Sequence, residues 1–290
     1  MCQTSADVVP LFHLPTFDVV QCCTCGMAFV NEPVPDASPG LGIPDLLEST
    51  CVAESRLLRA RFRRSLAHIE ALAPDRGKLL DVGCGEGYFL SAAQAAGWQS
   101  YGIELDKCRV DVAVAQGLNV EWTTVEQANL DVERYDVITM FHVIEHLNDP
   151  VTVLRKLRSA LKPDGLLVVE TPTNDFPLMS ALTLLYRLSG GRFTRLVNLF
   201  YTFNQPWGHQ YRHCRRSLTV VLEKTGFRVL RIDDAENAEF RLFLRQRNYG
   251  QSRGRSVTNA LLFAPVFAAM RLPGMNGRMI AYAVKEEATT

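Results

Sequence analysis

The sequence has no apolar run close to the ~20 residues that a membrane-spanning helix needs. The longest, SALTLLY and NALLFAPVFAAM, stop well short. Its first residues lack the basic-then-apolar pattern of a secretory leader, because Asp7, Pro10, His13 and Pro15 interrupt the apolar ones. Without an export signal the eight cysteines are expected to stay reduced, and the cytoplasm is the expected compartment. No internal repeat is visible. A hydrophobic fraction of 47% and a charged fraction of 21% are ordinary for a globular chain of 290 residues and exclude wholesale disorder.

Net charge is also missing, but the zero hides an asymmetry. Residues 187–255 hold thirteen arginines and one lysine against five acids, a balance of +9, while residues 1–186 carry −10. A basic second half implies an anionic partner or else a solvated arginine-rich face. It contains no recognisable nucleic-acid-binding module, so nucleic acid is not the expected partner.

What is present begins with a helical pattern over residues 46–73, where Leu57, Leu58, Phe62, Leu66, Ile69 and Leu72 share one face. A regular alternation follows. KLLDVG, SYGIEL, NVEW, YDVITMF and LLVVE read as strands. EGYFLSAAQAAG, DKCRVDVAVAQG and DPVTVLRKLRSALKPDG read as the helices between them, the last with Asp149 as N-cap and Pro150 at its first position. Strands and helices in this rhythm predict a parallel α/β sheet with right-handed crossovers. Two insertions, near residues 175–214 and 234–275, break the rhythm before MIAYAVK closes the chain as a strand. The first reads as two helices split by Gly190-Gly191.

The first strand runs into LLDVGCGEGYFL. Gly83, Gly85 and Gly87 stand where a strand turns directly into a helix, so backbone can come close to a ligand. The dinucleotide fingerprint needs its third glycine one residue later, where Tyr88 stands. Asp81 beside the turn would repel a pyrophosphate but suits a ligand bearing an ammonium and a sulfonium. S-adenosylmethionine has both. Glu104, ending the second strand, is placed to accept both hydroxyls of an adenosine ribose, whichever nucleotide is bound.

These segments, with YGIELD, YDVITMFHVIEHLNDP and LKPDGLLVVETPTN, resemble class I S-adenosylmethionine-dependent methyltransferases. The group most resembled comprises the ubiquinone-biosynthesis O-methyltransferases and bacterial small-molecule methyltransferases. The resemblance implies a Rossmann-like α/β/α sandwich with a seven-stranded sheet whose last strand is antiparallel, and helical caps from the insertions. It places Asp81, Gly83, Cys84, Gly85 and Gly87 around the methionine portion, and Glu104 and Leu105 at the ribose. Thr124 and Val125 fall near the adenine, although the aspartate common there is absent, and Phe141 and His142 line the cofactor pocket. The Asn/Asp-Pro-Pro-aromatic element of many base-modifying relatives is missing.

The stretch HVIEH, residues 142–146, has the H-x-x-E-H spacing of inverted zinc peptidases, which requires one long helix. Here a strand precedes it and Asp149-Pro150 starts a new helix just after, so that reading fails. His142, first off the strand, is the candidate general base or else a packed lining residue. Glu145 and His146 are placed to brace the loop. His209 and Tyr211, in WGHQYRH, are further catalytic candidates that resemble an element of relatives, with loop packing as the alternative.

At the start, Cys22 and Cys25 before Gly26 form one C-x-x-C, half of a tetrahedral zinc site. Relatives carry a zinc ribbon with two such pairs; only Cys2 precedes this one, and His13 is an unusually spaced fourth candidate. Residues 1–45 are therefore expected to be zinc-ribbon-like or irregular, and 46–290 to be the methyltransferase domain. The arginines of the insertions suit a small anionic or lipid-linked acceptor, with contact at a membrane surface. A catalytically silent cofactor-binding relative and a nucleotide-dependent oxidoreductase remain as alternatives.

Overall fold

In the computed structural model, residues 7–14, 17–31, 52–194, 197, 211–235, 264, 268 and 277–286 are described. The alternation read from the sequence becomes β4 (Lys78–Val82), α2 (Tyr88–Ala95), β5 (Gln99–Glu104), α3 (Lys107–Ala115), β6 (Asn119–Trp122), β7 (Tyr135–Phe141), α4 (Pro150–Ala160) and β8 (Leu161–Pro172). Then come α6 (Arg215–Lys224), β10 (Phe227–Asp234) and β11 (Arg278–Lys285), while α1 (Val52–Leu72) precedes them all. The sheet runs β10-β11-β8-β7-β4-β5-β6. Strand β11 is antiparallel to both β8 and β10, and the remaining pairs are parallel.

Two cores follow from strand alternation. Leu80, Ile138, Leu167 and Val169 face one way, onto Leu154 and Leu157 of α4 and Leu218 and Leu222 of α6. Leu79, Val137, Leu166 and Val168 face the other, onto Leu66 and Ile69 of α1 and Phe89 and Leu90 of α2. Asp149 caps α4, its Oδ1 accepting the N–H groups of Val151 and Thr152 at 3.1 Å each. That helix ends at Ala160, five residues before the expected glycine, because β8 begins at once with Leu161 opposite Tyr135.

The described residues of the N-terminal segment, 7–14 and 17–31, are largely strand. Strands β1 (Val8–His13), β2 (Asp18–Cys22) and β3 (Ala28–Val30) form an antiparallel sheet, and a two-residue strand β9 (Tyr211–Arg212) from the first insertion completes it. Pro10 sits where the β1–β2 register shifts, which is why alternation is broken in the sequence. Helix α5 (Pro177–Leu188) packs Met179 and Leu182 against Leu11, Phe12 and Val19 of this sheet. It ends before Gly190 and Gly191, both at positive φ. The second helix expected in that insertion, and most of the 234–275 insertion, lie outside the described residues.

Candidate active site

Gly83, Gly85 and Gly87 take φ of 72°, 55° and 80°, the left-handed region that favours glycine. A methyl group on Gly83 would stand 2.5 Å from Val143 Cγ2, whereas one on Gly85 would meet only Arg109 Nη1 at 3.9 Å. The turn is thus closed against the β7 loop at Gly83 and open at Gly85. Glu104, buried at the end of β5, faces it. Its Oε2 accepts the Gly85 N–H at 2.8 Å, and its Oε1 accepts those of Leu105 and Asp106 at 2.9 Å each. Leu105 is 45% exposed beside it, and Trp122 Nε1 donates to its carbonyl at 3.0 Å. An open glycine cradle facing a strand-end carboxylate fits the methionine and ribose portions of S-adenosylmethionine.

Other expected cofactor residues sit deeper. Asp81 is buried and accepts the Thr139 hydroxyl at 2.7 Å. Burial raises its pKa from 3.8 to about 7, against the lowering effect of that hydrogen bond, and the Glu104 charge adds to the rise. The Asp81 carboxyl is thus engaged by Thr139 at the end of β4, beneath the turn. Cys84 packs into the core, where burial and the Asp81 and Glu104 carboxylates push its thiol up. Val125 is also core, and Thr124 Oγ1 accepts the Gln127 N–H at 3.3 Å. Phe141 lies in an aromatic cluster with Phe89 and Phe62, at centroid distances of 4.9 and 5.4 Å.

His142 leaves β7 at φ 59°. Its backbone N–H donates to the Glu170 carbonyl at 2.9 Å, which ties the loop to β8. The ring spans two buried carboxylates, with Nδ1 3.1 Å from Glu145 Oε1 and Nε2 3.0 Å from Glu170 Oε1. Burial and Arg278 act to lower its pKa, but the hydrogen bonds to Glu145 and Glu170 outweigh them and raise it. An imidazolium donating from both nitrogens fits this clamp, and it leaves no ring lone pair for an acceptor's proton. Burial works to raise Glu170, yet Arg61, His142 and Arg278 hold it well below the usual carboxylate range. Arg61, itself part-buried, reaches this buried carboxylate from α1 as an ion pair.

Glu145 Oε2 accepts the Thr171 hydroxyl at 3.1 Å and lies near His213, whose Nε2 is buried and has no hydrogen-bond partner among the described residues. Burial drives the His213 pKa down to about 4. Tyr211 donates to the Asn148 carbonyl at 3.5 Å, and burial pushes its phenol up. His209 lies outside the described residues. Sequence reasoning missed Arg61, Glu170 and Arg278. Glu170 offered a signal, since it follows the apolar run LLVV in the sequence, much as Glu104 closes YGIE; the arginines offered none.

Zinc at Cys22 and Cys25 finds no support. Among the described residues no group of three or more His, Cys, Asp or Glu side chains is arranged to hold a metal. Cys22 and Cys25 are buried with Met27, against Phe29 and Tyr211, and Cys214 Sγ donates to the Cys25 carbonyl at 3.1 Å. His13 turns to Asp18 instead.

The strand order, the glycine turn and the acid ending β5 define a class I S-adenosylmethionine-dependent methyltransferase fold. Residues 55–232 match the methyltransferase domain family, and the chain belongs to it. Among curated relatives, the ubiquinone biosynthesis O-methyltransferase of Haemophilus ducreyi is 35% identical over 105 residues, 32% of this chain and 44% of that protein. The Coxiella burnetii enzyme of the same name is 31% identical over 177 residues, 58% of this chain and 70% of that protein. The chain thus spans less than half of the H. ducreyi relative it matches. A solved Archaeoglobus fulgidus SAM-dependent methyltransferase shares the fold, with a TM-score of 0.56 at 19% identity, covering 84% of this chain and all of that one. No described helix is long and apolar enough to cross a membrane.

Proposed function

We propose that the protein transfers a methyl group from S-adenosylmethionine to an oxygen or nitrogen of a small molecule, in the cytoplasm. The observation that carries this reading is the Glu104 carboxylate held against the open face of the Gly83–Gly87 turn. Bound there, S-adenosylmethionine supplies an electrophilic methyl on a positively charged sulfur. Glu104 accepts the ribose hydroxyls, Leu105 and Thr124 border the adenine, and the turn's backbone borders the methionine portion. His142 acts as a positioning residue, a fixed cation that shapes the loop after β7. With His142 committed and the Tyr211 phenol pushed up, acceleration comes mainly from proximity and alignment of acceptor and methyl.

The N-terminal sheet and α5 form the acceptor side of this reading, and a small anionic or lipid-linked acceptor fits the arginine excess of residues 187–255. The reading is tested by calorimetric titration with S-adenosylmethionine, S-adenosylhomocysteine and, as a control, NAD. Micromolar binding of the sulfur ligands that Glu104→Ala abolishes supports it. NAD binding in their place would sink it.

A further inference from the structure

A cavity of about 420 Å³ lies between the N-terminal sheet and α5, and it shares no lining residue with the glycine turn. Its apolar wall is Leu11, Met179 and Leu184, and its polar wall includes Gln21, Ser180 and Asn174. Two charged side chains reach it. Asp175 is engaged, its Oδ2 accepting the Arg215 N–H at 2.5 Å. Arg187 meets no carboxylate among the described residues. A second cation stands behind the wall, since buried Arg212 donates from Nη1 to Asn174 Oδ1 at 3.4 Å.

The walls are held in place. Strand β9 pairs with β3, the Thr173–His213 bridge joins the chain after β8 to the chain after β9, and the Asn174 N–H donates to the His213 carbonyl at 3.2 Å. The N-terminal sheet is therefore fixed to the strand end beside the His142 loop. A volume of this size suits one small ligand.

We infer that this cavity binds an acidic, hydroxyl-rich molecule with an apolar face, the chemistry of a sugar acid or sugar phosphate. The apolar wall takes the ring face, Gln21, Ser180 and Asn174 take hydroxyls, and the Arg187 guanidinium takes the acidic group. Asn174 lies four residues beyond Glu170, roughly 13 Å along an extended strand. Resting on the methyl-transfer reading, the ligand is the distal end of an elongated acceptor whose reacting atom lies near His142.

Saturation-transfer NMR on the full chain tests this with glucuronate, glucose 6-phosphate and neutral glucose. S-adenosylhomocysteine is titrated into the same preparations. At least one of the two acids is expected to bind, and which one does separates carboxylate from phosphate. Arg187→Gln should weaken that binding at least tenfold, and Ser180→Trp, which fills the cavity from an exposed position, should abolish it. Thermal melting of both variants checks that they fold. Absence of binding by either acid overturns the proposal, as does binding indifferent to both substitutions or glucose binding as well as the acids. If S-adenosylhomocysteine binds while the acids do not, the cavity assignment falls and the cofactor reading stands. The reverse pattern removes the cofactor reading and keeps the cavity.

Discussion

Glu104 Oε2 accepts the backbone N–H of Gly85 at 2.8 Å, so the acid that ends β5 also holds the turn that follows β4. The two motifs are one physical unit, because the carboxylate that ends β5 fixes the turn at Gly85.

Glu104→Gln tests that unity. Three backbone N–H groups converge on the carboxylate, two on Oε1 and one on Oε2. Whichever way a glutamine amide turns, its NH2 faces at least one of them. The expected loss is about 1–3 kcal/mol of stability. Affinity for S-adenosylhomocysteine should fall on the order of tenfold to a hundredfold by calorimetry.

Alanine at Gly83 and at Gly85 should behave differently. Both pay for a positive φ, roughly 1–2 kcal/mol. Gly83→Ala also drives a methyl to 2.5 Å from Val143 Cγ2, so Val143→Ala should recover part of its melting temperature. Gly85→Ala has no such neighbour and should melt closer to the parent while losing cofactor affinity, because its new methyl occupies the open face. Equal melting losses in both variants would contradict this.

Asp81 should give the protein an unusual pH slope. Its folded-state pKa is raised from 3.8 to about 7, so the folded protein holds the proton more tightly than the unfolded chain. That stabilisation is full below about 4 and is lost as pH rises through about 7, at roughly 1.4 kcal/mol per unit within the window. Asp81→Asn keeps an acceptor for the Thr139 hydroxyl and removes the titration. The melting difference between variant and parent should therefore grow in the variant's favour between pH 5 and 8.

His142→Ala should act first on stability. It leaves the buried Glu145 and Glu170 carboxylates facing each other without the ring between them, a change that costs on the order of 3–5 kcal/mol. The raised pKa of His142 means its contribution is full below 6.5 and fades as pH rises through the folded-state value. His142→Ala should thus melt lower than the parent, with the gap narrowing at alkaline pH. A variant that keeps its melting temperature but loses turnover along a single titration would restore His142 as a general base.

Much of this was legible in the sequence, for a physical reason. Strands β4 to β7 are short and alternate with helices that are followed by Gly97 and Gly117 or begin at the Asp149 cap, so local pattern and tertiary role agree along this stretch. The glycine turn and Glu104 are both local signals of that kind. The clamp on His142 was not, since Glu170 lies 28 positions away on the next strand and Arg278 comes from near the end of the described chain. The N-terminal sheet was hidden too. Proline breaks the alternation of β1, and the strand that completes the sheet has two residues. The cysteine pair misled because spacing alone does not distinguish two thiolates at a metal from two thiols packed on Met27.

The two-residue strand β9 has a consequence for synthesis. Cys25 and Cys214 are 189 positions apart, yet they touch where β9 meets the N-terminal sheet. As the chain leaves the ribosome, β1 to β3 emerge before β9, and the outer edge of β3 waits for a partner not yet made. At about 5–20 residues per second that wait lasts on the order of ten to forty seconds. During it the nascent chain presents an open strand edge, the kind that recruits a chaperone or a neighbouring copy. Protection of that edge belongs to the cell before it belongs to the fold.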